Sequence, residues 1–253
     1  MPNSNPTIER MMQIFEVIES TGDAVSQAAL VERTGLARST VYRLLNSLIE
    51  CDMLREVSAG RFAFGGRLLQ LAEKVTPGSD FISRLRFLQP TLDKLALDIG
   101  QTCKISVLER GAIMVVAGAS ARTPHAMSYS IGEYLPLHAG GASKVLMAYL
   151  ETELRQRLLG SNRPSLTERT IVDMDEFERE MRLVQEREWA EDPGEYSLSV
   201  CSYAAPIRGK GAEVIAALSV PFMSGTSEVD RAAILNGTIA GARKLSDEYG
   251  RFT

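Results

Sequence analysis

The tightest constraint in this 253-residue chain is a short glycine-centred joint, Gly35-Leu36-Ala37, between two stretches of helical apolar spacing. Before the joint, Ser26 stands where it can N-cap a helix running to Thr34, and Gly35 suits the left-handed position that closes one. After it, Val41, Leu44, Leu45, Leu48 and Ile49 form one apolar stripe from Arg38 to Cys51. Two helices across so short a joint predict helix-turn-helix geometry. A first helix over Thr7–Ser20, with Ile8, Met11, Phe15 and Ile18 on one face, stops at Thr21-Gly22-Asp23. Leu54–Val57, the turn Ser58-Ala59-Gly60 and Arg61–Phe64 read as a hairpin. The whole is a winged helix-turn-helix.

Two composition breaks divide the rest, Thr76-Pro77-Gly78-Ser79 and Asp98-Ile99-Gly100. Between them Leu85, Leu88, Leu92 and Leu95 keep helical spacing around Pro90, which predicts either a kink or a second helix starting near Pro90. Beyond Gly100, strands are expected over 102–108, 112–117, 126–131, 202–207 and 213–220, the last two joined by the hairpin-length run Arg208–Ala212. Helices are expected over 141–150, 151–159 and 175–188. A terminal helix should align Ala232, Leu235, Ile239, Ala242 and Leu245. Hairpin strands with helices outside them make an α+β fold built on an antiparallel sheet. The expected division is a winged-helix domain over 1–75, a linker helix over 76–98 and an α+β domain over 99–253.

On the third helix, the side opposite the Val41/Leu45/Leu48 stripe carries Arg38, Ser39, Tyr42, Arg43, Asn46 and Ser47, with Thr40 at its edge. Arginine can hold guanine O6 and N7 with two bonds, worth ~1–3 kcal/mol of discrimination. Ser39 and Thr40, beside the helix amides, suit phosphate oxygens. Arg61, beside the wing's turn, is expected to reach the minor groove or the DNA backbone. Arg38, Ser39, Thr40, Tyr42, Arg43 and Arg61 are therefore the expected DNA contacts. A face of this kind is often just solvated surface, and the wing beside it favours the DNA reading. Arg43→Ala should lower operator preference, whereas the same change at Arg187, read as an exposed surface residue, should matter little.

Composition narrows the alternatives. The formal charge of −4, from 28 basic and 32 acidic residues, excludes a protein that coats nucleic acid by global charge, so any DNA contact is a local patch. Three cysteines and two histidines without ligand spacing predict no zinc site, no other metal and no cofactor. The sparse, odd cysteine count fits a reducing cytoplasm. The opening residues lack a signal-peptide profile, and no apolar run approaches ~20 residues, so a cytoplasmic protein without a membrane helix is expected. His138, Cys201 and Ser202 invite a nucleophile-and-base reading. No Gly-x-Ser-x-Gly elbow, phosphate loop or metal motif accompanies them, and no enzyme is expected. Two rival classes stay open, a metabolite-transforming enzyme with a regulatory domain and an adaptor whose winged helix docks a protein.

Three ordered stretches together resemble one family. They are Ile8-Glu9-Arg10 with Gly35–Leu45 and Gly60-Arg61-Phe62, then Leu135–Lys144, then Ala204–Ile207 with Ala216–Val220. The chain resembles the IclR family of bacterial transcription regulators over about residues 7 to 250. The resemblance implies a winged-helix DNA-binding domain, a linker helix and a GAF-like effector domain, assembled as homodimers or dimers of dimers. It also implies repression or activation of operator DNA, switched by a small effector that is often a carboxylate. Carried over residue by residue, it places the effector at Gly141, Ala142, Asp192, Ser202 and Ser219. Helix-start amides at Gly140-Gly141-Ala142 would independently attract an anion. Plainer roles compete: close packing for the glycines, capping of Pro193-Gly194 for Asp192, and backbone-satisfied strand chemistry for Ser219. This chain departs from the family pattern by carrying Ser143 for a common Gly, Ser202 for a usual Cys and Ser199 for a frequent Gly, so effector identity is not inherited.

Overall fold

The computed structural model describes residues 5–75, 85, 87–121, 123, 126–161 and 163–251, the side chains of 72–75 aside. Contacts divide the chain into two compact units, Met1–Ser79 and Asp80–Thr253.

In the first unit, α1 (Pro6–Thr21) starts with proline in its first turn and with the Asn5 side chain accepting from the Thr7 N–H. β1 (Val25–Ser26) leads into α2 (Gln27–Thr34), where Ser26 Oγ accepts from the Ala29 N–H at 3.2 Å. Gly35 then takes φ +68°, a conformation that a Cβ would penalise, and turns the chain into α3 (Arg38–Glu50). β2 (Leu54–Ser58) and β3 (Arg61–Phe64) form the wing, and β1 pairs with β3 to give the order β1-β3-β2. Ile14, Leu30, Val41, Leu45 and Leu54 are buried at the centre, each worth ~1.5–3 kcal/mol on leaving water. α4 (Gly66–Val75) follows the wing.

The second unit begins with α5 (Gln89–Ile99) and continues through β4 (Cys103–Glu109), β5 (Ala112–Ala119) and β6 (Tyr134–Leu135). Three helices follow, α6 (Gly141–Ala148), α7 (Thr152–Leu159) and α8 (Met174–Arg187). β7 (Ala190–Ser197), β8 (Val200–Arg208), β9 (Val214–Met223) and α9 (Glu228–Arg251) complete the unit. The six strands form one antiparallel sheet in the order β6-β5-β4-β9-β8-β7. Strand alternation assigns its two faces. Cys103, Ile105 and Val107 on β4 and Cys201, Tyr203, Ala205 and Ile207 on β8 pack with α5 and α9. Ala204 and Ala217 turn to the other face, where they pack with α6 and α8. Ser202 and Ser219 share that face by the same alternation.

The structure departs from the sequence reading at several places. Residues 126–131 are not a strand, and β6 instead pairs Tyr134–Leu135 with Ile113 and Met114. Neither β1, β7 nor α4 is anticipated. β7 contains Pro193-Gly194, a breaker pair that hides an edge strand. α4 carries Leu69 at 73% and Leu71 at 37% exposure, so these two leucines do not mark a buried face. Of the two expectations at Pro90, a helix starting near it is the one observed, because Pro90 lies in the first turn of α5, where its missing N–H breaks no helical bond. α9 buries Ile234, Thr238, Gly241, Ala242, Leu245 and Tyr249 and leaves the expected Ala232 exposed. Of the expected linker 76–98, residues 76–84 and 86 lie outside the described residues, as does the break at 76–79. Leu85, Leu88, Leu92 and Leu95 are core residues of the second unit.

Candidate DNA-reading and effector-binding sites

α3 is amphipathic in the strict sense. Val41, Leu45 and Leu48 are buried, while Arg38, Ser39, Tyr42, Arg43, Asn46 and Ser47 are exposed and Thr40 is half-buried at the edge. Tyr42 holds 56% of its surface open, although its ring is large and apolar. No side chain caps the start of α3, and no acid lies in its first turn, so its end is open to an anion. Arg61 is placed differently. Its guanidinium donates to the Ala24 carbonyl and stands 3.9 Å from Asp23, which ties the wing to the segment before β1. Five of the six expected DNA contacts thus share the start and outer face of α3, and the sixth is engaged within its own unit.

The five expected effector residues come from elements far apart in sequence. Gly141 opens α6, and its N–H donates to Ser202 Oγ on β8 at 3.3 Å. A Cβ on Gly141 would stand 2.9 Å from that oxygen and 3.2 Å from the Ala204 Cβ, so only glycine lets the helix start approach the sheet this closely. Asp192 on β7 is the cross-strand partner of Ser202, and Ser219 on β9 faces Ala204 across β8. Cross-strand partners share a sheet face, so Asp192, Ser202, Ala204 and Ser219 all lie toward α6. All five expected residues, Ala142 included, are buried. Asp192 also has a local task, because its Oδ1 accepts from the Gly194 and Glu195 amides at 2.9 and 2.6 Å. Burial pushes its carboxyl above the usual range, against the pull of those amides and of Lys144.

A buried charge network, absent from the sequence reading, stands beside this group. Lys144 Nζ donates to Glu195 Oε1 at 2.6 Å and lies 3.2 Å from Glu180, which in turn pairs with Arg187 at 2.7 Å. Glu195 also accepts from the Gly140 N–H at 3.5 Å. Burial drives the Glu195 carboxyl up to about 7, with the Lys144 ammonium opposing. Arg187 is a correction to the sequence reading. It is about a quarter exposed, donates to the Trp189 carbonyl and stacks 4.3 Å over the Trp189 ring. No sequence signal finds these partners, because the pairing runs across three elements, α6, α8 and β7. Lys104 was likewise missed. It stands opposite Ser219 on β4, is half-buried, and is held below its ordinary pKa by burial against the opposing charges of Glu133 and Asp192.

The nucleophile-and-base reading fails on geometry. His138 Nε2 is 2.9 Å from the Pro164 carbonyl, Ser202 serves the Gly141 amide, and Cys201 points to the opposite face of β8. Burial raises the Cys201 thiol further from its reactive form. A cleft of about 660 Å³ opens elsewhere, between α9 and the β8–β9 hairpin, bordered by Trp189, Arg208, Lys210 and Arg243. None of the five expected effector residues lines it. Among the described residues, no group of three or more metal-ligating side chains converges, and no helix is long and apolar enough to cross a membrane.

A winged helix-turn-helix with an open outer face on α3, followed by an antiparallel-sheet unit that holds a buried charge network, fits the class of transcription regulators. Residues 7–58 match the IclR helix-turn-helix domain, and residues 84–247 match the bacterial transcriptional regulator IclR C-terminal model. The chain belongs to the IclR family of transcription regulators. It is 29% identical over 215 residues to an HTH-type transcriptional regulator of Mycobacterium tuberculosis, covering 85% of this chain and 81% of that one. It is 26% identical over 254 residues to the transcriptional repressor IclR of Escherichia coli, covering 96% and 90%. Among solved structures, an IclR homolog from Microbacterium hydrocarbonoxydans complexed with 4-hydroxybenzoate aligns with TM-score 0.74 at 22% identity, covering 98% and 100%. The Thermotoga maritima IclR aligns with TM-score 0.74 at 16% identity, covering 95% and 98%. At these identities the structural likeness concerns the fold.

Proposed function

We propose that the chain is a sequence-specific regulator of transcription, not an enzyme, that binds operator DNA through α3 and releases or grips it according to a small carboxylate effector in the second unit. The observation that carries the DNA half is the division of α3, with its apolar side sealed in the core and Arg38, Ser39, Tyr42 and Arg43 open to solvent. In a homodimer or dimer of dimers, two such helices would enter successive major grooves of a partly palindromic site. Arg38 and Arg43 would read base edges, Ser39 and Thr40 would bind phosphate, and Arg61 would brace the wing against the backbone. The effector would meet the start of α6 at Gly141 and Ala142, with Ser202, Ser219 and Asp192 around it. That a family member was solved with a hydroxylated aromatic acid supports an organic acid here. Coupling through the segment joining the units would be worth ~1–3 kcal/mol. The protein would act in the cytoplasm.

A mobility-shift titration with fragments from the gene's own upstream region tests this reading. Affinity should fall steeply with salt and exceed that for unrelated duplex by several hundredfold or more, on the order of 10³. Salt-insensitive or unselective binding would remove the regulator reading.

A further inference from the structure

We infer that Lys104 is the counter-ion of the effector, so that this chain selects an anion and rejects its neutral isostere, with Ser143 supplying a hydroxyl to the same ligand. The inference rests on the effector site at the start of α6 and adds two residues to it. Lys104 and Ser219 are cross-strand partners on β4 and β9, and Ser219 is in turn the partner of Ala204 on β8, against which Gly141 packs. Cys103 and Ile105 on either side of Lys104 belong to the α5/α9 core, so Lys104 projects to the face that carries α6.

An ammonium drawn out of water is costly unless something compensates it. Lys144, on the same side of the sheet, has two glutamates within ion-pair distance. Lys104 is half-buried, and its ammonium makes neither a hydrogen bond nor an ion pair among the described residues. The carboxylates that face it, Glu133 beside β6 and Asp192 on β7, act on it only at a distance, and Asp192 spends its Oδ1 on two backbone amides. The cation is therefore positioned and uncommitted.

Ser143 is the second, independent sign. Its Oγ is completely buried without a partner, one of two such side-chain atoms among the described residues. Buried hydroxyls are nearly always satisfied, and an orphan points to a group that arrives later. The oxygen lies in the first turn of α6, 3.9 Å from where a Gly140 Cβ would stand, and so on the side of the helix start. A ligand anchored on the Gly141 and Ala142 segment can meet Lys104 through its charge and Ser143 through a further oxygen or nitrogen.

Thermal melts of the full chain with a small panel of acids test this. A residue kept for structure destabilises when lost, whereas one kept for a ligand does not. Lys104→Met should leave the ligand-free melting temperature unchanged or raise it; a fall would overturn the proposal. The probes are benzoate, 4-hydroxybenzoate and succinate, each against its neutral amide. At least one acid should stabilise the natural protein and its amide should not. Lys104→Met should weaken that acid by about tenfold or more, and Lys104→Arg should restore most of the loss. Ser143→Gly should weaken the hydroxylated acid more than benzoate. Amides that bind as well as acids, or undiminished acid binding by Lys104→Met, would overturn the role of Lys104 and leave the effector site standing. Loss of every ligand response in Ser202→Leu, with Lys104→Met unaffected, separates the two ideas in the same way. If none of the acids or amides moves the natural protein, both fall.

Discussion

Lys144 and Glu195 meet 2.6 Å apart with each side chain only 2% exposed, one from the second turn of α6 and the other from β7. The pair fastens the start of α6 to the edge of the sheet and lies at the head of an alternating chain through Glu180 to Arg187. An ion pair withdrawn from water this fully adds little net stability, but the loss of one partner strands the other.

The pair makes stability depend on pH. Glu195 titrates near 7 in the folded protein against an ordinary 4.5, because burial outweighs the pull of Lys144. A carboxyl raised in the fold holds its proton more tightly there, so its contribution is present below about 4.5 and is lost as pH rises through 7. Urea unfolding at pH 5 and pH 8 should show a decline attributable to Glu195 of up to ~3 kcal/mol. Glu195→Gln should flatten that decline, though it lowers stability at each pH. A steeper decline in the variant would contradict the assignment.

Arg43 is exposed on the outer face of α3 and makes no ion pair among the described residues. Arg43→Ala should therefore leave the melting temperature unchanged and cost ~1–3 kcal/mol in operator discrimination. Competition mobility shifts against mismatched operator would register this as a loss of preference of about tenfold or more. A uniform loss across all sequences would instead make Arg43 a phosphate contact.

Arg187 holds Glu180, the Trp189 carbonyl and the face of the Trp189 ring. Arg187→Ala should destabilise the second unit by ~1–2 kcal/mol, mostly through lost stacking and packing, since the ion pair is partly screened. Chemical denaturation followed by the single tryptophan, Trp189, reports the change directly. An unaltered midpoint would mean that this side chain is merely solvated surface.

Gly141 admits no side chain without displacement, since a Cβ would press on Ser202 Oγ at 2.9 Å. Gly141→Val should destabilise the unit by ~1–3 kcal/mol and abolish the effector's influence on operator binding while leaving α3 able to bind DNA. Persisting effector control in a folded Gly141→Val protein would place the effector elsewhere, with the cleft beside Arg208 and Arg243 the next place to look.

In the first unit, α1 to α3 and the wing were legible because their signals are local, whereas β1 and α4 were not. Ser26 caps α2, Gly35 ends it and Gly60 turns the wing, each through its own backbone geometry. The second unit was legible in its hairpin and helices but not in its edges. Residues 126–131 have strand-forming composition but find no neighbouring strand, whereas Ala190–Ser197 becomes β7, despite Pro193 and Gly194, because β8 offers its edge. The terminal helix keeps the expected Leu235, Ile239, Ala242 and Leu245 in or against the core and differs at Ala232, which is exposed. Which of its small residues turns inward depends on what α5 and the sheet present.

Sequence alone determined the recognition helix, because an apolar stripe at helical spacing leaves only one side for Arg38, Ser39, Tyr42 and Arg43. It also determined the order of the two functional regions. Tertiary structure alone decided which buried charges are paired and which are free. Lys104 and Lys144 are the same residue type, but the Lys144 ammonium meets Glu180 and Glu195 while that of Lys104 meets neither a hydrogen-bond partner nor an ion-pair partner among the described residues. The reason is physical. Helical and strand periodicity act over a few residues, whereas the energy of a buried charge depends on atoms within a few ångströms that the chain delivers from positions dozens of residues away.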